Sequence, residues 1–319
     1  MRRYVVTRLA QAVGVLWAAY TVSFLVLVFL PGDPVTAMAG AGMDSGQIDP
    51  ERTAALRHEY GFDKPVLVQY ADHLGRAVRG DFGDAVTTGR PVTSTLADAL
   101  PQTLRLTGAA LLLAVVLGGG LAVLATYTSR RWLRQFLLSL PPLGVSVPTF
   151  WVGLLLVETF SFRLHWFPAF GDDGPKGLVL PALTLAVPTG AQVAQVLAKS
   201  LLTALDQAYV ETARAKGAGR WRVHLRHALR NASLPALTVV GLLVGQLIAG
   251  SVVVETVFSR DGLGRVTAAA VTAQDIPVVQ GVVVFGALIF VATNLVVDLV
   301  YPLLDPRLVA ASGGRAGFA

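Results

Sequence analysis

Cysteine is absent from the 319-residue chain. Neither a disulfide framework nor a thiolate metal site can therefore form, and cysteine usage says nothing about redox compartment. Charge is scarce. Asp, Glu, Lys and Arg make up 14% of the residues, where a soluble globular domain carries roughly 25%. Lysine occurs only as Lys64, Lys176, Lys199 and Lys216. Of these, Lys199 alone precedes a Ser or Thr, and Ala198 stands before it, so the G-x-x-x-x-G-K-[ST] nucleotide loop is missing. No H-E-x-x-H occurs, and the five histidines (His58, His73, His165, His224, His227) lack metal-ligand spacing. His224 and His227 are three apart, but they sit among arginines that repel a cation. A G-x-S-x-G nucleophile elbow is also missing. These absences argue against bond chemistry, a metal site or nucleotide binding by that motif in this chain.

What the chain has is apolar sequence: 54% of its residues, with a mean hydropathy of +0.60. A membrane-crossing helix needs about 20 mostly apolar residues. Six runs meet this. They are Leu9–Leu30, and roughly 103–126, 136–158, 178–199, 234–255 and 278–304. The first follows Arg2, Arg3 and Arg8 and imitates a secretory signal, with Ala37-Met38-Ala39 as a mock cleavage site. A signal's apolar region runs only about 7–15 residues, so this run is expected to remain as a span. Gly118-Gly119-Gly120, Pro141-Pro142, Pro148, Pro181 and Pro188 fall within the runs. Membrane helices tolerate such residues where neighbours satisfy the freed backbone groups, and small residues let helices approach closely.

The pI near 9.9 would point a soluble protein towards nucleic acid. Here the basic residues sit in alternate connections, as the positive-inside rule requires. The N-terminus carries three Arg. The second connection has Arg130, Arg131 and Arg134, and residues 199–233 carry seven basic residues against Asp206 and Glu211. Residues 31–102 have six Arg or Lys against ten Asp or Glu, while the 159–177 and 256–277 connections are near neutral. The alternation places both termini in the cytoplasm. It divides the chain into a first span (1–30), an extracytoplasmic segment (31–102), a five-span core (103–308) and a cytoplasmic tail (309–319). Asp298 is the one acid inside a run, read as a hydrogen bond within the bundle rather than a proton relay.

The 31–102 segment reads as folded. Asp49-Pro50-Glu51 starts a helix that Gly61 closes. Asp63-Lys64-Pro65 starts another, with Val66, Tyr70, Leu74 and Val78 recurring every four residues before Gly80. On the other side, Glu211 to Pro235 is basic and broken by glycine. A short helix runs to Lys216, and Gly217 and Gly219 interrupt it. A second helix covers 220–230 and ends at Ser233-Leu234-Pro235. Trp221, Leu225, Ala228 and Leu229 fall on one side of it, with Arg222, Arg226 and Arg230 as a stripe on another. The simplest account is a helix lying on anionic lipid.

Glu211-Thr212-Ala213, with Gly217 six residues after the Glu and a Leu-Pro close, resembles the EAA cytoplasmic loop of ABC importer permeases. Ala215-Lys216-Gly217 and Arg226–Ala232 look like the dipeptide/oligopeptide/nickel branch. So do Phe29–Val35, YGFDKPVLVQYADHL, GDFGDA, Leu247–Gly281 and Asn294–Leu308, so the resemblance covers the whole chain. Asp261 stands where the branch commonly has Pro. The resemblance implies an all-α membrane protein with the six-helix type I importer permease fold and a coupling helix within 206–233. It also implies a place in a bacterial cytoplasmic (plasma) membrane. The ATPase-coupling residues would be Glu211, Ala213, Ala215, Lys216, Gly217, Arg220 and Trp221. Glu211 is expected to anchor the turn. Arg260, Asp261, Gly262 and Gly264 would form an outer loop for the binding protein. Partners implied are a second homologous permease, two ABC ATPase subunits that bind ATP and Mg, and an extracytoplasmic substrate-binding protein. This chain would hold no cofactor. Di- or oligopeptide is the expected cargo, with nickel, a nickel chelate or glutathione as alternatives. The rival of another class is a stand-alone secondary transporter, whose inverted repeats and charged midplane residues are not apparent.

Overall fold

The computed structural model describes residues 2–29, 54, 57–58, 63–171 and 174–304. The described residues are helical apart from turns and one isolated bridge, Asp84 to Pro91. In chain order the helices are α1 (Arg2–Phe29), α2 (Val66–Val78), α3 (Val92–Tyr127), α4 (Arg131–Ser146) and α5 (Thr149–Leu156), which continues as a π-helical turn, Val157–Arg163. Then come α6 (Gly174–Leu205), α7 (Ala208–Ala215), α8 (Arg220–Val257), α9 (Leu263–Thr272) and α10 (Ile276–Leu304). Four of these, α3, α6, α8 and α10, are long and apolar enough to cross a membrane. Counted as one span, the bent α4–α5 pair makes a fifth, and α1 contributes a shorter apolar stretch, Ala10–Val26.

The chain divides into two compact units: 1–103 with 261–291, and 104–260 with 292–319. In the first, α2 packs on α1. Tyr70 meets the rings of Tyr20 (6.1 Å) and Phe24 (5.3 Å), and its hydroxyl shares a 2.8 Å hydrogen bond with Thr21. The inward face of α2 is Gln69, Tyr70, His73, Leu74 and Ala77, not the every-fourth row expected; Val66 and Val78 are exposed. The reason is geometric. Steps of four overshoot a 3.6-residue turn by about 40° each, so such a row leaves the face within three steps. Ala85, Val92, Leu96, Ala99, Leu263, Ala270 and Val278 form the core of this unit. Of the helix predicted from Asp49 to Gly61, Ala54, Arg57 and His58 are helical. The rest lies outside the described residues, as do the 309–319 tail and the Asp298 side chain.

The core of the second unit includes Leu106, Ala110, Leu180, Leu185, Leu247, Val254 and Phe258. A second cluster consists largely of alanine: Ala122, Ala198, Ala204, Ala228, Ala232 and Ala236, with Leu197 and Leu201. It draws α3, α6 and α8 together. Small residues set the closest approach. A Cβ on Gly118 of α3 would stand 2.2 Å from the Gly190 carbonyl oxygen of α6, and one on Gly144 of α4 would stand 2.9 Å from the Ala191 methyl.

Three sequence expectations need correction here. The third run, read as one span at 136–158, is bent by 103° at Val147-Pro148. Pro148 disfavours helical backbone at the preceding residue, and Val147 is extended (φ −80°, ψ 128°). The second run starts at Val92, not near Thr103, and carries Pro101 inside the helix. The helix starting at Arg220 does not end at Pro235. It runs unbroken to Val257, with a π-helical stretch at Val223–Ala228 and Pro235 inside.

Candidate coupling surface

The basic stretch hangs between two long helices of the second unit. α6 ends at Leu205, and α7 begins after Gln207. α7 closes through its backbone: the Ala218 N–H donates to the Ala213 carbonyl (3.1 Å) and the Gly217 N–H to that of Arg214 (2.9 Å). This is the paired closure of a helix ending on a left-handed residue, and Gly217 supplies it with φ +82°. Glu211 is not needed for the turn. Its carboxylate is exposed and makes no hydrogen bond or ion pair among the described residues. Ala215, Lys216 and Gly217 are exposed as well, and Ala213 is half-buried. Val210 is buried and holds α7 from below.

The second half is fastened to the end of α3. The Arg220 guanidinium lies over the Tyr127 ring, 4.6 Å from its centre, and donates to the Tyr127 carbonyl. Trp221 and His224 meet the same ring edge-on at 5.6 and 5.5 Å. Thr126 donates its hydroxyl proton to the Ala122 carbonyl (2.8 Å). The 3.0 Å contact between Thr126 Oγ1 and His224 Nε2 therefore has the histidine as donor. The helix face also differs from expectation: Val223, His224 and Ala228 are buried, while Trp221 is 60% exposed. The π-helical turn at Val223–Ala228 shifts the face that points inward. Sequence reasoning missed Thr126, Tyr127 and the buried role of His224. The signal available was an aromatic residue at the last position of a span, next to a basic turn.

The residues proposed for an outer loop part company. In the second unit, Arg260 is buried (3% exposed) and donates to the carbonyls of Gly177 (2.9 Å) and Gly171 (3.3 Å). It braces the chain rather than presenting itself. Ser259 before it is left-handed (φ +52°). In the first unit, Asp261 is exposed and pairs with Arg265 at 2.7 Å. Gly262 is the extended residue before α9, and Gly264 is buried within that helix. Sequence reasoning also missed Asp275 in this unit. Fully buried, its carboxylate accepts from the N–H (3.1 Å) and hydroxyl (3.0 Å) of Thr87 and from the Val278 N–H (3.3 Å). One side chain thus caps α10 and ties down the 84–91 turn. An Asp followed by Ile-Pro at a helix start was the legible signal.

A family profile described as the binding-protein-dependent transport system inner membrane component matches residues 108–310. The profile for the N-terminal part of that component matches residues 1–107. The chain belongs to this family. Among its curated relatives is a protein named as a peptide transport system permease of Brucella suis, 38% identical over 316 residues. That match covers 97% of this chain and 99% of the relative. The glutathione transport system permease GsiC of Escherichia coli is 36% identical over 308 residues, covering 97% and 99%. Among solved structures, the inward-facing MetNI methionine ABC transporter overlays with a TM-score of 0.57 at 17% identity, covering 66% of this chain and 96% of that one. This inner membrane component therefore has the all-helical fold of ABC importer permeases and is a multi-pass membrane protein.

Proposed function

We propose that this permease forms half of the translocation pathway of an ATP-driven importer for di- or oligopeptides. The other half comes from a second, homologous permease. Two ATPase subunits bind ATP and Mg on the cytoplasmic side, and an extracytoplasmic binding protein delivers cargo. Both termini lie in the cytoplasm, and the 31–102 segment and the 256–277 connection lie outside. Glu211, Ala213, Ala215, Lys216, Gly217, Arg220 and Trp221 form the surface that the ATPase grips.

The observation that carries this reading is the build of the Glu211–Trp221 surface. Its first half presents exposed side chains on a helix closed by its own backbone. Its second half is riveted through Arg220 and Trp221 to Tyr127. Three long helices, α3, α6 and α8, meet beneath it in an alanine-rich cluster. Small side chains leave little room to deform, so displacement of the surface moves the helices as rigid bodies. A glutathione cargo is the second reading, favoured by the relative that transports this tripeptide.

Two experiments test the proposal. A cysteine at Ala54 should react with a membrane-impermeant thiol reagent added outside intact cells, and one at Ala218 should not. Labelling at Ala218 would overturn the orientation. Uptake measured with a peptide panel, glutathione and nickel assigns the cargo; uptake of nickel alone would overturn the peptide reading.

A further inference from the structure

Behind α7 and the first turn of α8 lies a cavity of about 380 Å³. Its size is within the roughly 300–1,000 Å³ of small-ligand pockets. Its charged lining is of one sign: Arg214 and Arg220, beside the buried His224 and Thr126, with no carboxylate among the lining residues. The nearest acids in sequence, Asp206 and Glu211, are exposed and do not line it. Arg220 is already oriented by the Tyr127 ring and carbonyl, so its remaining N–H groups are held in place rather than free to swing into water.

The cavity also has a definite place in the bundle. Thr126 is one residue from the end of α3, Leu205 is the last residue of α6, and Val223 lies in the first turn of α8. Three membrane-crossing helices thus end at it. Trp132, at the start of α4 and five residues beyond Tyr127, is largely exposed. Exposed tryptophans at span ends belong to the headgroup layer. A pocket with two arginines and no acid, beside the end of the α3 span, matches a phosphodiester.

We propose that this cavity binds the phosphate of an anionic phospholipid headgroup, which thereby becomes part of the coupling surface. The lipid phosphate bridges α7, through Arg214, to the end of α3, through Arg220 and Tyr127. Placement on the cytoplasmic side rests on the orientation proposed above; the cavity itself does not.

The test uses the whole transporter complex, purified and reconstituted in nanodiscs containing phosphatidylglycerol in a phosphatidylcholine background. Lipid retained by the complex is read by native mass spectrometry. Phosphatidylglycerol should be retained in preference to phosphatidylcholine. Arg214→Gln should weaken that retention about fivefold, the effect of one basic residue near anionic lipid. Arg131→Gln removes the same charge from an exposed site that does not line the cavity, and it should leave retention unchanged. Equal retention in wild type and Arg214→Gln, or equal loss in both variants, would overturn the proposal. Displacement of the lipid by excess inorganic phosphate or ATP would also overturn it, in favour of a soluble phosphate ligand. Because the readout is bound lipid, a wrong cargo assignment would leave the result untouched.

Discussion

Gly118→Ala is the sharpest structural test of how the bundle is held. The added methyl carbon would sit 2.2 Å from the Gly190 carbonyl oxygen, 2.9 Å from its carbonyl carbon and 3.0 Å from its Cα. Carbon and carbonyl oxygen tolerate about 3.3 Å, so the shortfall is about 1 Å. All three obstacles are backbone, and no rotamer change relieves them. α3 and α6 must separate, and a gap of about 1 Å already forfeits up to half of each dispersion well along the crossing. Overpacking of this kind costs about 3 kcal/mol at the upper end of its range. Replacing a helical glycine by alanine returns about 1 kcal/mol, leaving a net loss of about 2 kcal/mol. Gly120→Ala is the control, because nothing lies within 4 Å of its Cβ. It should be neutral or stabilising. The assay is thermal unfolding of the purified complex in one detergent, with yield of assembled subunits alongside. If Gly118→Ala and Gly120→Ala unfold together, the close α3–α6 crossing is wrong.

The remaining structural predictions follow from the same contacts. Asp275→Ala removes the α10 cap and strands the Thr87 N–H, and it should destabilise by about 3 kcal/mol. A thermal shift accompanied by faster proteolysis at 84–91 would confirm this, and wild-type stability would contradict it. Arg260→Met leaves the Gly177 and Gly171 carbonyls without their donor at a buried site, at about 1–3 kcal/mol each. It should lower yield and stability, whereas a selective loss of stimulation by the binding protein at normal stability would restore Arg260 to a docking role. Ser259→Gly relieves a left-handed non-glycine residue and should stabilise by roughly 1 kcal/mol, read in the same thermal assay.

Much of the fold was legible because apolar run length is a long-range average that single residues do not disturb. The final run, predicted at 278–304, appears as Ile276–Leu304. Errors arose where one residue outweighed the average. Pro148 broke a run that hydropathy treated as continuous, while Pro101 and Pro235 were absorbed within helices. Nothing in the local sequence separates these cases, because packing decides whether the freed carbonyl is satisfied. At the candidate coupling surface, the glycine break was visible in the sequence and its positive φ follows from it. The clasp of Arg220, Trp221 and His224 on Tyr127 was not visible, because it joins residues about 90 positions apart. Arg260 illustrates the converse: a charged residue in a connection reads as exposed, yet the chain folds over it.

The central claim is that Glu211–Trp221 is a lever read by a partner's shape, and Gly217→Asp tests it most directly. Within the chain the substitution is mild. No atom lies within 4 Å of a Cβ there, Asp is among the side chains that tolerate left-handed backbone, and the φ of +82° costs a side chain only about 1 kcal/mol. Insertion and folding should therefore survive. Ala213→Asp, at a half-buried position, should show a lesser form of the same defect. Arg222→Gln, on the exposed stripe, should be nearly silent. The measurement is ATP-driven peptide uptake together with ATPase co-purification for these three variants beside wild type. The account predicts a normally inserted Gly217→Asp permease that either loses its ATPases or hydrolyses ATP without transport. Wild-type coupling in Gly217→Asp, with a severe defect in Arg222→Gln, would contradict it and make the stretch a charge-driven lipid contact.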